Sequence, residues 1–170
     1  MIEVIEAKFN IKVNLNLKKE YKYCISNLAE NEKVRSLEGF THHHYFSRLE
    51  HCLHVSYLSY LVCRKMGLDY QSAARGGLLH DFYFYDSHNT EPDRGSHYFC
   101  HPTIALENAT QLFSLNKVEK DIIVKHMWPV TIRPPKYKES LVVTLIDKYC
   151  ATKEVAQYGS KLTLAHQTQL

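Results

Sequence analysis

Six side chains able to bind metal or move protons fall in order along the chain: His51, His80, Asp81, His101, His126 and Asp147. Each sits where the surrounding residues read as an apolar helix face. His51 shares a stripe with Val55, Leu58, Val62 and Met66 at spacings of three and four, so it points inward as a satisfied core histidine or as a ligand. His80 and Asp81 lie beside Leu78, Leu79 and Phe82. Burying such a pair is costly unless the two groups bond to each other or to a cation. His101 precedes Pro102 at an expected helix start, and His126 follows Val118, Ile122 and Ile123 on an apolar face. Asp147 stands in the strongly apolar run LVVTLIDKYCA, where a carboxylate calls for a metal, a core Arg or Lys, or a capping role. Any one of these residues has a plain structural explanation. Five successive segments that each deliver a His or Asp inward point to a common centre. Imidazole and carboxylate ligands without thiolates suit Mn, Fe, Mg, Ni or Zn.

The elements that must position these groups read as helices. Residues 47–66 form a long helix stopped by Gly67, and Asp69 opens the next, which runs to about Phe84. Gly76 and Gly77 inside it each cost about 1 kcal/mol against alanine, which implies close approach by another helix or by a bound group. Asp86 to Cys100 is the longest loop candidate, and His101-Pro102 opens a helix to about Leu115. Asn116 caps a short helix that ends near Trp128-Pro129, TIRPPKYKES is a connection, and residues 139–156 make the last strong helix. Upstream, Lys18 to about Leu37 favours a helix. The alternation Ile11, Val13, Leu15, Leu17 suits a short extended segment, and Ile2, Ile5 and Phe9 suit a helix before it. The expected fold class is all-α, a compact helical bundle with that short N-terminal extended segment.

Composition sets the outer limits. A chain of 170 residues, 45% hydrophobic and 23% charged, has the makeup of one globular domain and excludes a disordered or low-complexity chain. A net charge of +3 is too small for a dedicated nucleic-acid binder. Five cysteines, none in a C-x-x-C pair, fit a reduced cytoplasmic protein better than a disulfide framework. No apolar run approaches the roughly 20 residues of a membrane span, and MIEVIEAKFN does not read as a signal peptide. Histidine is the outlier, with eleven in the chain.

The stretch RLEHCLHVSYLSYLVCRKMGLDYQSAARGGLLHDF resembles the opening of the HD-domain superfamily of metal-dependent phosphohydrolases. In that family a helical His precedes an adjacent His-Asp pair, and a distant Asp closes the site. Those positions correspond to His51, His80, Asp81 and Asp147. Members with two metals add two intervening histidines, matched by His101 in HPTIALENA and His126 in IIVKHMWP. The resemblance spans about residues 46–155. It implies that residues 46–156 form the metal-binding helical domain, with 1–45 packing on it and 157–170 a tail. It further implies that His51, His80, Asp81 and Asp147 hold one metal and that Asp81 bridges to a second held by His101 and His126. One or two divalent ions would then activate water for attack on phosphorus, with Asp81 as the bridging catalytic carboxylate.

Around this centre the sequence offers further candidates. Lys148, next to Asp147, and Arg48, one turn before His51, are the expected phosphate donors; Arg75, Arg94, Arg133 and Lys136 are weaker ones. By family analogy His54 contacts substrate, and His97, four residues before His101, is an auxiliary ligand or substrate contact. Trp128, Tyr83 and Tyr85 could stack a base, although aromatic residues at helical spacing are more often core. His42, His43 and His44 read as a polar connection near the site, His88 as a solvated loop residue and His166 as surface. Tyr83 and Phe84 follow the His-Asp pair where cyclic-dinucleotide phosphodiesterases of the family carry Gly and Lys, and no Gly-Tyr-Pro motif occurs, which disfavours that substrate class.

The expected function is therefore hydrolysis of a phosphate ester or phosphoanhydride of a small molecule or nucleotide. A di-iron oxygenase on the same scaffold and a non-catalytic nucleotide-binding module are the alternatives. The expected partner is the phosphorylated substrate, with no membrane and no strong nucleic-acid signal. A homo-oligomer through the N-terminal segment is conceivable but has no support in the sequence.

Overall fold

The computed structural model describes residues 2–9, 12–42, 46–87 and 92–167, with side chains through residue 157. Among them are eight α-helices: α1 Ile2–Phe9, α2 Leu15–Ala29, α3 Glu32–Arg35, α4 Arg48–Lys65, α5 Tyr70–Leu79, α6 His97–Leu112, α7 Lys117–Lys125 and α8 Lys138–Gln167. A 3-10 turn over Ser36–Gly39 leads out of α3. No sheet forms among the described residues; the only β pairing is a single antiparallel bridge between Thr41 and Ser47. The all-α expectation holds.

Helix α4 is the hub. Ser47 and Glu50 close a reciprocal capping box at its start, and Gly67 at φ 68° ends the chain's helical path just past Met66. Every residue from His51 to Tyr60 is buried, on all faces, because α4 packs against both α5 and α8 while Tyr21 of α2 bonds to Ser56. The single apolar stripe expected from the sequence therefore understates its burial, and Met66, placed on that stripe, is exposed.

The two glycines of α5 have their explanation in helix packing. A Cβ on Gly77 would lie 3.0 Å from the Ser56 Cα of α4, and one on Gly76 would lie 2.8 Å from the Ile122 side chain of α7. The close approach is by neighbouring helices on both sides. It brings the end of α5 against α4 and α7 together, so that His80 can face residues from both.

Several boundaries differ from expectation, each for a local reason. The segment expected as one helix from Lys18 to Leu37 breaks at Asn31, whose side chain accepts from Lys33 N–H and starts α3. Ile11 lies outside the described residues, and residues 12–17 do not form the expected extended segment: Asn14 caps α2 and draws Leu15 and Leu17 into its first turn, while Ile2, Ile5 and Phe9 are the buried face of α1. Helix α5 stops at Leu79 rather than near Phe84, leaving His80 at its C-cap. Helix α6 starts at His97, four residues before the expected His101-Pro102 start, with Pro102 inside it. Helix α8 continues to Gln167, past the expected end at residue 156.

Gly77→Ala gains helix propensity of about 1 kcal/mol, but its methyl must push against α4 backbone, which costs about 1–3 kcal/mol where overpacking cannot relax. Chemical denaturation should show a net loss of stability, and the variant should also bind divalent metal more weakly because His80 is displaced.

Candidate metal centre

The six residues singled out by the sequence do meet. His51 Nε2 lies 3.0 Å from Asp147 Oδ1, and His80 Nε2 lies 3.6 Å from the same oxygen and 3.7 Å from Asp81 Oδ2. Asp81 turns its other oxygen, Oδ1, toward His101 Nε2 at 3.3 Å and His126 Nε2 at 3.5 Å. The last two nitrogens are 2.8 Å apart. Ligand atoms of His51, His80 and Asp147 fall within 4.8 Å of one another, as do those of His80, Asp81 and His126.

Each histidine is oriented through its other ring nitrogen. His80 Nδ1–H donates to Gly77 O, His126 Nδ1–H to Ile123 O and His101 Nδ1–H to His97 O, all at 2.8 Å. His80 and His126 occupy the C-caps of α5 and α7, where the last carbonyls have no helical partner. One imidazole thus satisfies an orphan carbonyl and presents Nε2 to the centre. His51 uses a side chain instead: its Nδ1–H donates to Glu154 at 3.0 Å. With the Nδ1 proton of each ring held in this way, a cation that displaces any proton on Nε2 finds that nitrogen already oriented.

The donor set fits a metal on a structural criterion. His80 Nε2 and Asp81 Oδ1 are buried polar atoms without a satisfactory hydrogen bond. Such atoms are expensive to leave unpaired, and both aim at the interior of the cluster. Electrostatics agrees. Burial raises the Asp81 and Asp147 carboxyls, but the surrounding imidazoles outweigh it and hold both well below the usual carboxylate range. Burial likewise opposes charge on His51, yet Asp147 and Glu154 push it up to about 10. His80 is also raised well above its usual value against its burial, chiefly by Asp81. His126 is lowered, mainly by burial.

Four of the six residues, Asp81, His101, His126 and Asp147, line a cavity of about 360 Å³, together with His42, Tyr83, His97, Tyr98, Met127 and Lys148, among others, while His51 and His80 lie behind them. Lys148 Nζ–H donates to His126 O at 3.0 Å, holding the half-buried amine at the rim. Burial lowers its pKa, with Asp147 opposing. His97 stacks on His101 with centroids 4.4 Å apart and bonds to the Tyr85 hydroxyl at 2.9 Å. Burial and then repulsion from His101 lower it to about 4, so it lines the wall as a neutral ring.

Two expected contacts lie elsewhere. Arg48 is fully buried, donates to Tyr83 O at 2.7 Å and Tyr85 O at 3.1 Å, and stacks on the Tyr83 ring. With both terminal nitrogens on backbone carbonyls and no place in the cavity wall, it anchors the segment after the His-Asp pair instead of lining the cavity. His54 does not line this cavity either. Its Nδ1 bonds to Glu154 Oε1 at 3.0 Å and lies 3.2 Å from Lys8 Nζ, behind His51. Arg75 pairs with Glu119 and Arg94 with Glu107, which removes both as donors to the cavity. Tyr83 lines the cavity but is packed against Arg48, and Trp128 is not among the lining residues. His43, His44, His88 and the His166 side chain lie outside the described residues.

Sequence reasoning missed Glu154, whereas His42 lies in a connection near the site, as expected, and lines the cavity. Glu154 is fully buried and bonds to both His51 and His54. Its signal was available, since it lies seven residues after Asp147 and therefore on the same face of α8.

Three outcomes follow from this geometry. Replacing Glu154 by Gln should weaken metal affinity by about 10–100-fold, as loss of an outer-shell partner does, measured by titration calorimetry. A cation at His51 Nε2 must expel the proton that His51 otherwise keeps up to about pH 10. Apparent affinity should therefore rise between pH 6 and 9, by about tenfold per unit for each proton expelled; calorimetry in buffers of different ionisation heat would count the protons. Arg48→Met should lower unfolding stability by about 1–3 kcal/mol through the carbonyls left unpaired while leaving KM for any phosphorylated substrate unchanged.

No helix among the described residues is long and apolar enough to cross a membrane. Neither a curated protein nor a solved structure matches the chain. Residues 48–152, more than half of its length, match the HD domain. That family generally comprises metal-dependent phosphohydrolases. With the ordered His and Asp residues meeting at one centre on an all-helical scaffold, the chain belongs to the HD domain family.

Proposed function

We propose that this protein is a metal-dependent phosphohydrolase acting on a small phosphate ester, phosphoanhydride or nucleotide. The observation that carries the reading is the meeting of six candidate ligand side chains, four of which (Asp81, His101, His126 and Asp147) line a cavity that also offers an amine, Lys148. His51, His80, Asp81 and Asp147 would hold one divalent ion, and Asp81, His101 and His126 a second. Bound there, such ions supply hydroxide near neutral pH and offset negative charge on phosphoryl oxygens.

The chain's own groups do the rest. Asp81 divides its oxygens between the two sets of histidines, Oδ1 toward His101 and His126 and Oδ2 toward His80. Lys148, kept at the rim by the His126 carbonyl, is placed to donate to a phosphate oxygen. The Tyr85 hydroxyl holds His97 at Nδ1 and leaves the opposite ring nitrogen for a substrate contact. At about 360 Å³ the cavity is near the lower end of small-molecule sites, which favours a monoester or mononucleotide over an extended ligand. Five free, buried cysteines support a cytoplasmic setting.

The test is metal analysis with a phosphatase and phosphodiesterase panel under added Mn or Fe. Metal-dependent phosphate release is expected, abolished by the double replacement His80→Ala and Asp81→Ala. Lys148→Ala should lower kcat/KM on the order of tenfold to hundredfold, the worth of one charge-assisted hydrogen bond. A protein that binds no metal and releases no phosphate in any condition would overturn the proposal. Turnover that requires oxygen and an iron pair would replace it with an oxygenase.

A further inference from the structure

The cavity contains a histidine that the six-residue set does not use. His42 comes from the connection before α4, outside the segment that matches the HD domain. Its ring stacks on His51 with centroids 3.9 Å apart and planes inclined by 30°. Its Nδ1 lies 3.8 Å from Asp81 Oδ2, and ligand atoms of His42, His51 and Asp81 all fall within 4.8 Å of one another.

The position is built by the backbone. His42 N–H donates to Phe46 O and Arg48 N–H to Phe40 O, both at 2.8 Å, and Thr41 and Ser47 form the bridge that closes the connection. Phe46 in turn lies under the Lys8 ammonium, 3.6 Å from the ring centre. Residue 42 is thus tied to the start of α4, one side chain away from His51. The division of Asp81 then becomes complete: Oδ1 faces His101 and His126, and Oδ2 faces His80 and His42 at 3.7 and 3.8 Å.

We propose that His42 is an additional ligand to the cation held by His51, His80, Asp81 and Asp147. The inference rests on the metal-binding reading of the site. It gives that cation three imidazoles and two carboxylates, a set suited to Fe, Co, Ni, Zn or Mn ahead of Mg, which prefers oxygen donors and retains its waters. It also makes the connection before α4 part of the metal centre.

The experiment is a titration of metal-stripped full-length protein with Co(II), compared with His42→Phe and His42→Ala. His42→Phe keeps a ring packed on His51 and removes only the nitrogen. For both variants the affinity of one Co(II) equivalent should fall by about tenfold or more. The proton NMR spectrum of the Co(II) form should lose one strongly shifted imidazole N–H resonance. The thermal midpoint of the metal-stripped protein should stay unchanged in His42→Phe. A parent that binds Co(II) while His42→Phe keeps the same affinity and the same number of shifted resonances overturns the role of His42 alone. A parent that takes up no Co(II) overturns both this inference and the function on which it rests.

Discussion

Everything at the centre depends on how the second nitrogen of each histidine is occupied. An imidazole can present a lone pair to a cation only if its other nitrogen carries the proton, and a buried N–H must have an acceptor. His80, His101 and His126 find theirs in carbonyls of their own helices, three or four residues back. His51 has no such carbonyl, because mid-helix carbonyls of α4 are already engaged, and takes a carboxylate from α8. The helix ends are therefore where they are for a chemical reason. Helix α5 ends at Leu79, and the Gly77 carbonyl is left to His80.

The same constraint governs charge. Asp81, Asp147 and Glu154 bring carboxylates into a space where each must be compensated. Glu154 is held below its usual range because His51 and His54 bond to it in spite of its burial. His51 stands between Asp147 and Glu154 and so stays protonated where an exposed histidine would be neutral. Protons and divalent cations are interchangeable counterions in such a site. His80 Nε2 and Asp81 Oδ1 remain without a hydrogen bond, as Arg48 Nε, Ser59 Oγ and Ser140 Oγ do elsewhere; these two differ in that both belong to a group of side chains whose ligand atoms converge.

The positions of the six candidate ligands were legible in the sequence because each interrupts an apolar helical pattern, and periodicity reports which side chains face inward. The ends of α5 and α6 were not, since Gly76 and Gly77 within α5 and Pro102 within α6 weigh against local propensity and only packing decides the outcome. Periodicity also misled where side chains are long. Arg48 lies one turn from His51, but its guanidinium finds two carbonyls of the segment after Asp81 before it can reach the cavity. His54, three residues after His51, turns to Glu154 on the far side of that ring. His42 carries no periodic signal at all, because its placement comes from a backbone bridge in a connection.

The segment that matches the HD domain ends at residue 152, yet the side-chain network of the candidate centre does not. Glu154, two residues beyond it, is fully buried and supplies the acceptor that fixes His51. Lys8, on α1, lies 3.7 Å from Glu154 and also 3.6 Å from the ring of Phe46, the residue that receives the His42 N–H. One ammonium from the first helix thus touches both the carboxylate behind His51 and the connection that carries His42. Hydrogen bonds from Tyr57 to Glu6 and from Tyr60 to Glu20 bind α1 and α2 to the hub helix that carries His51. The first forty residues are in this sense an outer shell of the centre, and their helices are part of what sets its geometry.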